Sequence, residues 1–83
     1  MRDYRDLGFD NKNDANEVLS NLQDLAEEYT RVSVSDYIEL CGRTPDSFTD
    51  NKIGWTFDML KRINMRRYGG MWYLELPKPV SIE

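Results

Sequence analysis

The chain of 83 residues has no histidine and one cysteine, Cys41. A lone cysteine excludes an intramolecular disulfide, and without histidine the zinc sets built from Cys and His cannot be assembled. The commonest general base is missing, and with it the Ser–His and Cys–His nucleophile pairs. No Asp/Glu spacing gathers carboxylates for magnesium, and the stretch Asp46…Asp50-Asn51 lacks the glutamate and the spacing of an EF-hand. The inventory predicts a protein that binds and does not catalyse, with no cofactor and no metal. No apolar run approaches the about 20 residues that span a bilayer, and no basic-then-apolar leader opens the chain. A soluble, intracellular protein with no membrane partner is the expectation. Internal repeats and low-complexity tracts are also missing.

What is there is aromatic side chains and unevenly placed charge. Two Trp, five Tyr and three Phe supply much of the area that one small domain, residues 1–83, can bury. Residues 1–50 hold twelve acids and five bases, net −7, and residues 51–83 hold three acids and six bases, net +3. The sum is the net charge of −4, which argues against nonspecific DNA binding.

The clearest fold signal is Lys61–Pro77, where two alternating runs flank Gly69-Gly70. Two glycines can take φ > 0 at both positions of a type I′ turn, so a two-residue hairpin loop is predicted. Tyr68 then opposes Met71, Arg67 opposes Trp72, Met65 opposes Leu74 and Ile63 opposes Leu76. One face carries Ile63, Met65, Leu74, Leu76 and an Arg67–Trp72 cation–π pair and belongs to the core. The other carries Asn64, Glu75, Arg66, Tyr73, Tyr68 and Met71. Pro77 and Pro79 end the pairing, since neither can donate to a ladder. A lone hairpin is marginal in water, and residues 1–9 are read as a charged edge strand that makes it three-stranded.

Before the hairpin the periodicity is helical. Ala15, Val18, Leu19, Leu22, Leu25, Ala26 and Tyr29 recur at three and four, predicting a helix over 14–29 with Asn13 as its N-cap. Its other face is Asn16, Glu17, Ser20, Asn21, Gln23, Asp24, Glu27 and Glu28. Ser33 and Asp36 form a capping box for a second helix that buries Val34, Tyr37, Ile38 and Cys41 and stops at Gly42. Residues 43–55 read as loop, with Phe48, Ile53 and a buried Trp55 as anchors and Gly54 allowing close approach. Thr56 caps a short helix, Phe57 to Arg62. The sum is an α+β fold: two helices and a short third helix on a small antiparallel sheet with a C-terminal β-hairpin, in winged-helix-like order.

Two surfaces qualify as sites. Glu17, Asp24, Glu27 and Glu28, with Asp14, line the outward side of the first helix and could imitate a row of phosphates, although acidic helix faces are commonly just solvated. Arg66, Tyr68, Met71 and Tyr73 on the outward hairpin face are of the types enriched in interface cores, unless another element lies over them. Lys61, Arg62, Arg66 and Arg67 stand where the wing of a winged helix would touch phosphates, and they also balance the acidic half.

Four segments together carry a resemblance: Asp14-Ala15-Asn16-Glu17-Val18-Leu19, Val34-Ser35-Asp36-Tyr37-Ile38-Glu39-Leu40 closed by Gly42, Asp50-Asn51-Lys52-Ile53-Gly54-Trp55-Thr56, and Tyr73-Leu74-Glu75-Leu76-Pro77-Lys78-Pro79. The chain resembles a family of small proteins encoded by bacteriophages and prophages of Gram-positive hosts. Its specific parts are the Asp-Asn-Lys-x-Gly-Trp-Thr and Leu-x-Leu-Pro-x-Pro segments, and the Gly-Gly turn and longer 43–50 loop depart from it. The resemblance implies a phage setting and the cytoplasm of a bacterial host, and supplies no catalytic residues. The expected function is engagement of a host protein, as an inhibitor of a nucleic-acid-handling or defence complex through the acidic half. The alternative is a small winged-helix-like DNA-binding regulator that uses the basic hairpin.

Overall fold

A computed structural model describes residues 7–44 and 51–82. The fold is α+β, in the order α1 (Lys12–Tyr29), β1 (Arg31–Ser33), α2 (Val34–Leu40), β2 (Ile53–Thr56), α3 (Phe57–Leu60), β3 (Met65–Tyr68), β4 (Met71–Leu74) and β5 (Val80–Ser81). The strands form two antiparallel sheets, a three-stranded one ordered β1-β2-β5 and the hairpin β3-β4.

The hairpin keeps the predicted register from Tyr68↔Met71 to Met65↔Leu74. Gly69 and Gly70 both have positive φ, 59° and 81°, as a type I′ turn requires. The ladder stops short of Ile63↔Leu76, with one further bond from the Glu75 N–H to the Asn64 carbonyl at 2.9 Å. Beyond it the chain is drawn toward the other sheet, because the Trp55 indole N–H donates to the Pro77 carbonyl at 2.7 Å. After the two prolines, Val80 and Ser81 pair with Gly54 and Ile53, so Pro77 and Pro79 end one ladder and lead into another.

The third strand of the hairpin sheet is reduced to one bridge, Phe9↔Trp72, in which each N–H donates to the other's carbonyl at 2.8 Å. Residues 1–6 of the expected edge strand lie outside the described residues.

Helix α1 starts two residues before the predicted 14–29 span. The N-cap is Asn11, extended at φ −140°, whose Oδ1 accepts from the Asp14 N–H at 2.8 Å and whose amide donates to the Asp14 carboxylate at 3.1 Å. Asn13 is therefore inside the first turn, where its side chain cannot cap. Ala15, Val18, Leu22 and Ala26 are buried, and Leu19 and Leu25 pack at the margin. Tyr29 leaves the apolar stripe and is 63% exposed, because α1 ends there and Thr30 turns left-handed at φ 68°.

Helix α2 has the predicted capping box: the Ser33 hydroxyl accepts from the Asp36 N–H and the Asp36 carboxylate accepts from the Ser33 N–H, both at 3.0 Å. It ends in a Schellman pattern. Gly42 at φ 80° donates to Glu39, and Arg43 donates to Ile38. Cys41 is half-buried at this end rather than inside the core.

The largest departure concerns residues 31–33, between the two predicted helices, and 53–56, where a loop and a helix cap are predicted. Residues 31–33 and 53–56 are extended and pair with each other, Val32 opposite Trp55 and Ser33 opposite Gly54. Trp55 is fully buried as predicted, but on the central strand of a sheet, edge-on to Tyr37 with ring centroids 5.9 Å apart. Gly54 leaves no room for a side chain between the strands: a Cβ there would lie 1.9 Å from the Val32 carbonyl oxygen. Phe48 lies outside the described residues. Helix α3 is one turn, Phe57–Leu60, shorter than the predicted 57–62, and the Thr56 side chain makes no capping bond. One core joins the layers, with Leu7, Phe9, Leu60 and Leu74 closing over the α1, α2 and β2 residues.

Candidate partner-binding surfaces

An α-helix advances about 100° and 1.5 Å per residue, so positions seven and four apart fall nearly in line. Glu17, Asp24 and Glu28 are related in that way and stand opposite Ala15, Leu22 and Ala26, with Glu27 displaced to one side. All four acids are exposed, and among the described residues none has an ion-pair partner. Rises of about 10 Å and 6 Å separate the three aligned carboxylates. Asp14 is different, being held by Asn11 in the cap. Gln23, assigned to the outward face, is half-buried and donates to the Leu60 carbonyl at 2.7 Å, tying α1 to α3. The row is thus bounded on one side by a fixed polar contact.

The second surface is the outward hairpin face. Arg66, Tyr68, Met71 and Tyr73 share it by strand alternation. Tyr68 is 72% exposed, whereas Met71 and Tyr73 are half-buried against Gly8. A Cβ at Gly8 would lie 2.9 Å from the Tyr73 ring and 3.2 Å from the Met71 methyl, so these side chains occupy the place a Gly8 side chain would take. Gly8 therefore covers part of this face, while Arg66 and Tyr68 are exposed. A hollow of about 230 Å³ lies beside Arg66, lined by Arg66, Tyr73, Leu74, Glu75 and Leu76.

The four bases do not make one patch. Lys61 pairs with Asp58 at 3.1 Å and sits 5.4 Å from the Phe57 ring. Arg66 and Arg67 project from opposite faces of β3, Arg67 toward the Trp72 ring at 5.9 Å, as predicted. Lys12 lies 5.5 Å from the same ring. That second cation joins the start of α1 to β4, and no local signal connects residues so far apart in sequence. Arg62 is exposed on the turn between α3 and β3.

Tyr37, buried, and Cys41, half-buried, are neighbours whose charged forms are both disfavoured. Burial first, then the neighbouring Cys41, push the Tyr37 hydroxyl far above its ordinary value. Burial also pushes the Cys41 thiol up to about 11, against smaller opposing effects of the Tyr37 hydrogen bond and Arg43. A thiol so held is protonated at neutral pH and is a poor nucleophile. Among the described residues, no group of three or more Cys, Asp or Glu is placed to hold a metal ion, and no helix is long and apolar enough to cross a membrane. No protein-family model, curated protein or solved structure matches the chain.

Proposed function

We propose that this chain is a non-enzymatic binding protein of phage type, working in the cytoplasm of a bacterial host and engaging a host protein. The partner would be a nucleic-acid-handling or defence complex, entered by the acidic side of α1. The observation that carries this reading is the in-line row Glu17, Asp24 and Glu28, exposed and without an ion-pair partner among the described residues, along a helix that the core holds rigidly from its other side. A fixed row of carboxylates presents negative charge at intervals to a basic channel, and rigidity lowers the ordering cost of binding. Arg66, Tyr68, Met71 and Tyr73 offer a second contact face.

A DNA-binding regulator is the second reading, favoured by exposed, unpaired Arg62 and Arg66. It is weakened by α3, whose four residues fall short of a helix that could lie in a major groove. Exchanging Glu17 and Asp24 for Lys separates the two. A protein partner should be lost with the fold intact, whereas DNA binding should strengthen through added phosphate contacts.

A further inference from the structure

Among the described residues, strand β3 has one edge with no partner strand. Among the described residues its ladder runs only to β4, while the far edge of β4 is met by Phe9. In an antiparallel pair, opposed residues alternate between exchanging hydrogen bonds and facing away. The turn-closing pair Tyr68↔Met71 and the pair Arg66↔Tyr73 exchange bonds, which leaves the N–H and C=O groups of Met65 and Arg67 directed outward. The phase is checked on β4, where the same alternation turns Trp72 outward, and Phe9 takes both of its groups. Arg66, Arg67 and Tyr68 are exposed along the free edge, and no acid occurs between Asp58 and Glu75.

We propose that this edge accepts an extended acidic segment of a partner protein as an added β-strand. Strand addition takes its affinity from main-chain bonds and its specificity from alternate side chains. Here the open main-chain groups of Met65 and Arg67 supply the first. Arg66 on one face and Arg67 on the other supply the second, so acids at successive positions of the incoming strand each meet a guanidinium. The hollow beside Arg66 leaves room for one more side chain on the outward face. A second copy of the chain is a poor occupant, because β3 against β3 brings arginines near arginines. Duplex DNA is a poor occupant too, because alternation divides the two charges between faces.

The surface is separate from the α1 carboxylates, so either can fail alone. The competing explanation is that the arginines only guard an exposed edge against aggregation, a common use of charge on edge strands. The full chain, labelled with nitrogen-15, is titrated with a capped peptide that holds two successive Glu between Val residues, so that one acid falls on each face. A backbone N-methylated version and a Lys-for-Glu version serve as controls. The proposal expects shifts and slowed hydrogen exchange at the Met65 and Arg67 amides with the acidic peptide alone. It also expects binding to weaken by about tenfold or more in Arg66→Glu/Arg67→Glu, since charge-assisted contacts are lost. Unperturbed Met65 and Arg67 amides, equal binding of the N-methylated peptide, displacement by a DNA duplex, or dimerisation through β3 would each overturn it. The N-methylated comparison is made on the unsubstituted chain and does not depend on the variant folding.

Discussion

Gly54 and Thr30 are two positions where the backbone sets the choice of residue. At Gly54 even a methyl would penetrate the Val32 carbonyl and crowd the Ser33 Cα at 2.7 Å, and both obstacles are backbone. Neither can yield without opening the β1–β2 ladder. Gly54→Ala should therefore cost about 3 kcal/mol or more, read as a lowered urea midpoint at unchanged slope. Thr30 is the reverse case, a β-branched residue at φ 68°. The left-handed region costs such a residue about 1–2 kcal/mol, partly offset because glycine loses more freedom on folding. Thr30→Gly should raise stability by about 0.5–1 kcal/mol in the same titration. The Gly54 constraint was legible beforehand, since Gly beside a large Trp suggests close approach. The end of α1 at Tyr29 was legible from periodicity, but the left-handed turn at Thr30 was not, because a β-branched residue is not the type that announces one.

At the scale of elements, long patterns could be read and short ones could not. Helix α1 declares itself through six buried or half-buried positions at helical spacing, and α2 through reciprocal capping by Ser33 and Asp36. The hairpin was legible from two glycines and alternating flanks. Strands β1, β2 and β5 have three, four and two residues, too few for alternation to rise above chance. Their pairing is set by contacts distant in sequence: Val32 against Trp55, and the Trp55 indole on the Pro77 carbonyl. The N-cap of α1 was misplaced because Asn11 and Asn13 are equal in type, and only backbone conformation distinguishes them. Asn11→Ala should lower stability by about 1 kcal/mol, while Asn13→Ala, inside the first turn, should change it by about 0.5 kcal/mol or less. Paired thermal melts decide the matter, and the opposite ranking would return the cap to Asn13.

Across the whole molecule, a radius of gyration of 11.9 Å matches the about 12 Å of a compact chain of this length. The inner side of β4 packs toward α1, so the acidic row on α1 and the outward hairpin face look away from each other. The exposure of the carboxylates was legible from periodicity, because seven- and four-residue spacings fix a helix face. The covering of Met71 and Tyr73 was not, since it depends on Gly8 arriving from the far end of the chain. The separation of Arg66 from Arg67 was legible from strand alternation, although the four bases lie close together in sequence. The proposed function is engagement of a protein by the α1 carboxylates. Its most direct test is capture from nuclease-treated lysate of a Gram-positive host by three forms of the chain: unsubstituted, Glu17→Lys/Asp24→Lys, and Asp10→Lys/Glu39→Lys. The two substituted forms have equal net charge, and such surface exchanges should cost about 0.5 kcal/mol or less each. A protein should be retained by the unsubstituted chain and the Asp10/Glu39 form and lost by the Glu17/Asp24 form. Equal retention by all three, or tight salt-sensitive binding of duplex DNA by the unsubstituted chain, would contradict it.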